Sequence, residues 1–252
     1  ADESNKECVD CNAPNPDWAS INYGVLVCHE CSGVHRSLGT HISKIRSLTL
    51  DKWEPQMLQI LKHLGNSKVN EVLESNPSHA AVKPNPSSTR EEREQYITAK
   101  YKNKKFVERT PPDDLQGLSV FDVALRANNN DEMLVQMLQL IARRGSVHAK
   151  NPTHHGSTVL HFLAASNNLV GIEFVLQHDC SVAVMDDNGW TPLHHAAYHD
   201  NSGPVKLLIN RGAMCDQKDM EGNTPIKLVK ENGCQSTYQL LCSEMKGMGE
   251  DY

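Results

Sequence analysis

The sequence of 252 residues has no long apolar segment, no excess of positive charge and few aromatic residues. No stretch approaches the roughly 18 uncharged apolar residues of a membrane-spanning helix, and residues 1–20 are too charged for a signal peptide. With 38% hydrophobic and 22% charged residues, the composition is that of a globular protein. The length favours two small domains over one large core. Because the chain begins at Ala1 and not at Met, we expect it to be part of a longer protein.

The missing positive charge argues against nucleic acid as a partner. Residues 1–108 hold 14 basic and 14 acidic side chains, and residues 109–252 hold 11 basic and 17 acidic ones. A nucleic-acid-binding domain is normally strongly basic, because neutralisation of phosphates supplies most of its affinity. We therefore expect no nucleic-acid partner. The P-loop pattern G-x-x-x-x-G-K-[ST] is also absent, so the protein is not itself a P-loop GTPase.

Four of the eight cysteines form two close pairs near the start of the chain. Cys8, Cys11, Cys28 and Cys31 read C-x2-C-x16-C-x2-C. Two such pairs can grip a tetrahedral ion from two sides, and this spacing is typical of a four-cysteine zinc site. Disulfides are the alternative, but close C-x2-C pairs favour a metal in a reducing compartment.

The other four cysteines lie beyond residue 179 and have no paired spacing. They are expected to be free, partly buried thiols. Cysteines of this kind place the protein in a reducing compartment, the cytosol or the nucleus.

A repeat occupies the second half of the chain. Glycines at 117, 156, 189 and 222 are 39, 33 and 33 residues apart, and each opens a similar phrase. The phrase at 191–196 is T-P-L-H-H-A, and T-P-L-H-x-A with a period of 33 is the signature of ankyrin repeats. We predict about four repeats that begin near these glycines, each a turn followed by two antiparallel helices.

The repeats differ at the two ends of the array. The first is six residues longer, and we place the extra length in the turn between its helices, at 128–131. The last has Lys227 in place of the histidine and ends in a polar helix, as a terminal cap should. We expect the first repeat to pack on the preceding domain through Val120, Phe121 and Leu125, because an end repeat otherwise exposes apolar surface.

Histidines and acidic turns in the repeats could be mistaken for a site. His161 and His194 occupy the fixed turn position of the repeat, where imidazole bonds to backbone, and we do not expect catalysis or metal binding from them. The acidic turns at 186–187 and 216–219 either face a protein partner or are merely solvated.

Periodicity predicts short elements in the first part of the chain. Strands are expected within 18–27 and at 47–51, and helices are expected at 32–39, from Pro55 to Gly65, and around 69–73. Ser88-x-x-Glu91 reads as a capping box for a further helix through Tyr101, and 109–114 reads as a stiff linker.

A four-cysteine site has no open coordination position, and thiolates make zinc a poor Lewis acid, so we expect one structural Zn²⁺. The chemistry must then come from side chains that the site positions. Arg36, five residues past Cys31 on a short helix, is the nearest candidate, although a solvated surface arginine is the common case for such a residue.

The pattern C-x2-C-x16-C-x2-C-x4-R resembles the Arf GTPase-activating domain. The stretches 17–20 (DWAS) and 32–39 (SGVHRSLG), and Lys100-Tyr101 with Phe106, also match that family. The resemblance covers residues 1 to about 110. With ankyrin repeats directly afterwards, the chain looks like the subgroup that also carries BAR, PH and SH3 domains.

The resemblance implies a set of roles. Arg36 would act on the GTP held by an Arf-family GTPase, with Trp18 and Asp51 in support, and the domain would contain no nucleotide site of its own. Trp18 could equally be packing beside a small zinc core. Lys44 and Arg46 could meet acidic GTPase surface or be solvated.

The resulting expectation is an α+β zinc-finger domain at 1–110, a small sheet with surrounding helices, followed by an all-α ankyrin-repeat solenoid at 111–252. Its partners would be an Arf-family GTPase in the GTP form, a protein on the ankyrin repeats, and membrane phosphoinositides through a PH domain outside this chain. The protein would be cytoplasmic and peripheral at membranes where Arf is active. The alternatives are a DNA-binding finger, which the charge disfavours, and a zinc-finger and ankyrin scaffold without catalysis, which would not need Arg36.

Overall fold

The computed structural model describes residues 3–247 and divides into two compact units, residues 1–146 and 147–252. The first unit therefore includes the first ankyrin-type helix pair as well as the zinc-finger region. The predicted fold class, a small sheet with helices followed by helical ankyrin repeats, is confirmed. The boundary that the sequence predicts, at residue 110, divides two sequence families, whereas the compact units separate 36 residues later.

The first unit is built on a three-stranded antiparallel sheet in the order β2-β1-β3. The strands are β1 (Trp18–Ser20), β2 (Val25–Val27) and β3 (Ile45–Ser47). Trp18 pairs with Val27 on one side and with Ser47 on the other. A tight turn joins β1 to β2 at Gly24, where φ is +67° and an added Cβ would lie only 2.9 Å from Leu64 Cβ, so there is no room for a side chain.

Six helices complete this unit. They are α1 (His29–Ser37), α2 (Pro55–His63), α3 (Asn66–Leu73), α4 (Arg90–Ile97), α5 (Val120–Arg126) and α6 (Asn130–Ala142). A π-helical turn, Thr98–Lys102, extends α4, and 3-10 turns lie at Glu3–Lys6, Pro77–His79 and Asp113–Leu115. α2 begins with Pro55 at its first turn, as the sequence predicts.

Two local predictions for this unit are wrong. The predicted strand at 47–51 is a turn, and the strand is Ile45–Ser47, because the Asp51 carboxylate accepts the Ser47 amide at 2.7 Å and curls the chain back. The capping box of α4 lies one residue later than predicted. Thr89 donates its amide to Glu92 Oε2 at 2.8 Å, and Thr89 Oγ1 accepts the Glu92 amide.

The first repeat packs on the zinc-finger region through α6. This helix contacts α3 and α2, and Asp131 at its start forms ion pairs with Lys68 and His63. Val120 and Phe121 are buried, but Leu125, which we expected in this interface, is 50% exposed. The contact surface is therefore the second helix of the repeat, not the first.

The second unit contains three helix pairs of the repeat. They are α7 (Val159–Ala165) with α8 (Leu169–Gln177), α9 (Pro192–Tyr198) with α10 (Ser202–Asn210), and α11 (Pro225–Glu231) with α12 (Gln235–Gly247), after a 3-10 turn at Pro152–His154. The helices within each pair are joined by three residues, and the same is true of α5 and α6. The prediction that the extra length of the first repeat lies in this turn is therefore wrong. Part of it lies in α6, which has 13 residues, whereas α8 and α10 each have 9.

The repeat histidines tie neighbouring turns together, as predicted. His161 Nδ1 accepts the Thr158 amide, and its Nε2 lies 2.9 Å from the Trp190 carbonyl oxygen of the next repeat. His194 makes the same contacts with Thr191 and Asn223. Burial lowers the pKa of His161 to about 4, so this imidazole is neutral when it makes these bonds.

At their key positions the acidic turns are not merely solvated. Asp186 is buried and accepts the amides of Asn188 and Trp190, and Asp219 accepts the amides of Glu221 and Asn223. These carboxylates hold their own turns in shape.

Candidate functional site

The four early cysteines converge on one point between a turn and a helix. Cys8 and Cys11 lie in a tight turn before β1, where Cys8 donates its amide to the Ala13 carbonyl oxygen at 2.8 Å. Cys28 caps the start of α1, and Cys31 lies in its first turn. Their sulfur atoms all lie within 4.8 Å of one another.

This cluster fits zinc in donor type, number and spacing. The sulfur atoms of Cys11 and Cys28 are 3.7 Å apart. Four thiolates at the usual Zn–S length of about 2.3 Å around a tetrahedral ion would be roughly 3.8 Å apart. None of the eight cysteines, all of which lie among the described residues 3–247, is in a disulfide. The metal interpretation of the spacing is therefore supported over the disulfide alternative.

A buried arginine that the sequence does not identify completes the cluster. Arg93 on α4 is 3% exposed, and its Nη1 lies 3.3 Å from Cys31 Sγ. Its Nη2 donates to the carbonyl oxygens of Asn85 and Pro86, which fixes the guanidinium in place. A cation here offsets the negative charge of four thiolates and orients one of them. The sequence carries only one local sign of this role, which is that no acidic residue stands three or four positions from Arg93. The contact itself joins two residues that are 62 positions apart.

A buried ionic network joins the cysteine turn to α1 and to the π-helical turn. The Asp10 carboxylate, two residues after Cys8, receives hydrogen bonds from His35, Lys100 and Tyr101 at 2.9, 3.1 and 3.0 Å. Burial alone would raise the pKa of Asp10, but Lys100 and His35 together hold it below its usual range. Asp10 and Lys100 are therefore both charged, and the network locks His35, the residue immediately before Arg36, into the core.

Arg36 lies on the exposed side of α1, and its guanidinium stacks on Trp18. The Cζ atom is 4.3 Å from the centre of the Trp18 ring, a cation–π geometry. Cys31 and His35 hold the helix on its inner side, and both are completely buried. An exposed cation is thus presented from a rigid base.

Trp18 combines both roles that the sequence left open. It is 9% exposed, so it packs in the core, and it contacts Arg36 directly. Its indole Nε1 is buried without a hydrogen-bond partner among the described residues.

Asp51 is not brought to Arg36 by any hydrogen bond or ion pair among residues 3–247. Its carboxylate instead accepts the Ser47 amide and shapes the turn after β3. Ser47 is the last residue of β3 and pairs with Trp18. The turn therefore begins at the strand position next to the Trp18–Arg36 stack. Leu50 at its tip is 81% exposed.

Two neighbouring cations, Lys44 and Arg46, lie just before and within β3. Arg46 is half-buried, and its Nη1 donates to the Lys52 carbonyl oxygen at 2.9 Å, so it braces the same turn. The Lys44 amide is held by Asn22 Oδ1 at 3.0 Å.

Comparison with known proteins places this geometry in a family. Residues 1–110 match the family ArfGap, described as "Putative GTPase activating protein for Arf", and residues 121–219 and 185–251 match ankyrin repeats in three copies. The chain carries an ArfGap domain followed by ankyrin repeats. This confirms the resemblance stated from the sequence. Since ArfGap domains are zinc fingers, it also confirms zinc as the cofactor, with the cysteine cluster as the place that fits it.

Similar proteins are found in animals and plants. Arf-GAP with coiled-coil, ANK repeat and PH domain-containing protein 2 of Gallus gallus is 31% identical over 82% of this chain, and ADP-ribosylation factor GTPase-activating protein AGD4 of Arabidopsis thaliana is 32% identical over 94% of it. This chain spans 37% of the length of either relative. Arf-GAP with coiled-coil, ANK repeat and PH domain-containing protein 3 of Homo sapiens is 54% identical over 42% of this chain, which is 13% of that protein.

No helix among residues 3–247 is both long enough and apolar enough to cross a membrane. The names of the Gallus gallus and Homo sapiens relatives include a PH domain and a coiled coil. The BAR and SH3 domains of the subgroup that the sequence resembles stay a prediction.

Proposed function

We propose that this chain stimulates GTP hydrolysis by an Arf-family GTPase, with Arg36 as the residue that acts on the nucleotide. The observation that carries the proposal is the Arg36–Trp18 stack, because it presents an exposed guanidinium from a helix anchored by a zinc-site cysteine and a buried histidine. The GTP-bound Arf protein would be the partner and would hold the nucleotide.

The physical reason for an arginine is the charge of the transferring phosphoryl group. Negative charge spreads over its oxygens in the transition state, and a guanidinium provided by a partner stabilises it by roughly 10³ to 10⁵ in rate. A planar fork can bridge two oxygens, which a lysine ammonium cannot do as well. Pre-positioning on Trp18 reduces the side-chain entropy that must be lost when Arg36 enters the GTPase site.

In this proposal the zinc has a structural role. Cys8, Cys11, Cys28 and Cys31 would occupy all four positions of a tetrahedral ion, so the metal would contribute folding energy and no open position for chemistry. It would fix the start of α1, and so the direction in which Arg36 points.

Trp18 and Asp51 would be positioning residues. Trp18 holds the guanidinium, and Asp51 shapes the turn that places Leu50 in solvent. An 81% exposed leucine at the tip of this turn is a natural contact for the GTPase surface, since apolar area at the centre of an interface supplies affinity.

The ankyrin repeats would serve as a surface for a protein partner. A groove of about 500 Å³ in the second unit is lined by Trp190, Tyr198 and Met220 together with the carboxylates of Glu221 and Glu231. Aromatic faces next to carboxylates suit a lysine or arginine side chain of the partner. If Arg36 proved inactive, this groove would favour the alternative function, a scaffold without catalysis.

We infer a cytoplasmic protein that is peripheral at membranes where Arf is active. The relatives' names support this, because they combine an Arf GAP with a PH domain, and phosphoinositides would be bound by such a domain outside this chain.

The test is GTP hydrolysis by purified GTP-loaded Arf proteins at increasing concentrations of this chain. The intact chain should accelerate hydrolysis, Arg36→Lys should lose most of the effect, and Arg90→Lys, a likewise exposed arginine at the start of α4, should retain it. An intact chain that accelerates no Arf protein, or an Arg36→Lys chain as active as Arg90→Lys, would contradict the proposal.

A further inference from the structure

A cationic cavity lies within the first unit, away from the residues used in the proposed function. It has a volume of about 650 Å³ and is formed by the segment 103–109 and by the end of α6 with the residues after it. Five cations and one carboxylate line it, namely Lys104, Lys105, Arg109, Arg143, Arg144 and Glu108.

Two of the cations are held in place by the fold. Arg143 donates from Nε to the Glu108 carbonyl oxygen and from Nη1 to the Gln139 carbonyl oxygen, both at 2.9 Å. It therefore clamps the segment 103–109 to α6. A guanidinium carries five N–H donors, so these two bonds leave others for a ligand.

Lys104 is fixed in a similar way from the other wall. Its Nζ donates to the Tyr23 hydroxyl at 2.7 Å and lies 4.5 Å from the centre of that ring. Neither contact supplies a negative charge. Burial, and then the nearby charge of Lys100, lower the pKa of Lys104 to about 7, which is the behaviour of a lysine without a counter-ion.

The remaining cations are exposed and uncompensated. The side chains of Lys105, Arg109 and Arg144 make no hydrogen bond or ion pair with the residues at 3–247. The single carboxylate, Glu108, accepts the Arg109 amide. The cavity thus concentrates positive charge in a protein whose net charge is −6.

The charge and the size together define the ligand. Arginine forks and lysines bind phosphate oxygens, and each such bond is charge-assisted. Small-molecule sites occupy about 300–1,000 Å³, so the cavity is larger than a single phosphate needs. We propose that it binds a multiply phosphorylated anion, either a free polyphosphate or a phosphorylated lipid headgroup. A bound ligand would link the zinc-finger region to the first repeat through Arg143.

The test measures binding to the 252-residue chain by calorimetry with inositol hexakisphosphate and tripolyphosphate, and by sedimentation with phosphatidylcholine vesicles with and without phosphatidylinositol bisphosphate. We expect saturable one-to-one binding of the soluble anions. If only the soluble anions bind, the ligand is a free polyphosphate; if the bisphosphate vesicles bind as well, it is a headgroup.

The variant Arg109→Ala/Arg144→Ala removes two exposed cavity cations whose side chains make no hydrogen bond or ion pair with residues 3–247, so it should fold normally. It should lose at least about 10-fold in affinity, since a hydrogen bond to a charged group is worth about 1.5–3 kcal/mol. The matched control Arg90→Ala/Lys102→Ala removes the same charge from exposed positions that do not line the cavity. Equal losses in both variants, or no saturable binding by the intact chain, would overturn the proposal. Because neither variant touches Arg36, the result does not depend on the proposed GTPase activation.

Discussion

Replacing Lys100 with methionine should destabilise the first unit severely. Lys100 is completely buried, and its ammonium group uses all three donors, to Glu74 at 2.6 Å, Asn70 at 2.7 Å and Asp10 at 3.1 Å. The substitution removes one buried cation and leaves two buried carboxylates facing an apolar side chain.

The magnitude follows from the desolvation of those carboxylates. Removing one partner from a buried ion pair costs about 3–5 kcal/mol, because the other charge stays buried and uncompensated. For a unit of 146 residues, each kcal/mol lost from the free energy of unfolding lowers the melting temperature by about 3–4 °C. The melting temperature of Lys100→Met should therefore be roughly 10–20 °C lower than that of the intact chain. Lys102→Met, two residues away and exposed, should change the melting temperature by no more than about 2 °C.

Differential scanning calorimetry of the intact chain and both variants, with the zinc content of each measured, gives these shifts. Hydrogen exchange then assigns the loss of protection to residues 1–146. If Lys100→Met does not fold at all, Glu74→Gln keeps the prediction measurable. It retains an acceptor, leaves Lys100 paired with Asp10, and should cost about 1–3 kcal/mol. The reasoning is refuted if Lys100→Met has the same melting temperature as Lys102→Met, because the network would then contribute nothing to stability.

Three further outcomes follow from the structure. Zinc chelation should remove the hydrogen-exchange protection of 1–146, including α6, while that of 147–247 persists; protection that survives in α6 would mean that this helix does not depend on the zinc-finger region. The second unit should lose stability as the pH falls from about 6.5 to 4, by at most about 3 kcal/mol through His161, because burial lowers the pKa of His161 to about 4 and the unfolded chain takes up the proton first. A His161→Gln variant should show a shallower pH dependence in urea unfolding, and an unchanged slope would refute that assignment. Asp131→Asn should lower stability by only about 1 kcal/mol in thermal melts, since its pairs with Lys68 and His63 are half-exposed; a loss above about 3 kcal/mol would show that the ion pairs, and not the apolar contacts of α6, hold the repeat.

The features that the sequence predicts correctly are those that depend on a fixed spacing of residues along the chain. Two C-x2-C pairs predict the zinc site because the ligand geometry constrains neighbouring residues. T-P-L-H-H-A at a period of 33 predicts the ankyrin repeats because each repeat makes the same bonds to the next.

The features that local pattern mispredicts depend on single side-chain contacts. The alternation at 47–51 favours a strand, but one carboxylate–amide bond from Asp51 turns the chain. Ser88 and Thr89 both suit a cap, and the choice between them depends on whether Glu91 or Glu92 can reach back. The polar run at 128–131 suggests a long turn, yet Asn129 accepts the Glu132 amide and begins α6 there.

Contacts between distant residues could not be predicted from one sequence at all. Arg93 reaches Cys31 across 62 residues, and Lys100 reaches Asp10 across 90. In the sequence, Lys100 is only a match to the family pattern. The structure gives the physical reason for it, a buried cation between two carboxylates, one of which, Asp10, holds His35 of Arg36's helix.

The most direct test of the central claim is single-turnover GTP hydrolysis on an Arf protein at saturating concentrations of this chain, comparing Arg36→Lys with the intact chain. If Arg36 stabilises the transition state, the variant stays slow at saturation by roughly 10³-fold or more, equivalent to at least about 4 kcal/mol. If Arg36 only helps to bind the GTPase, a higher concentration restores the maximal rate. Recovery of the intact rate at saturation would contradict the account and would leave the zinc domain as an Arf-binding surface.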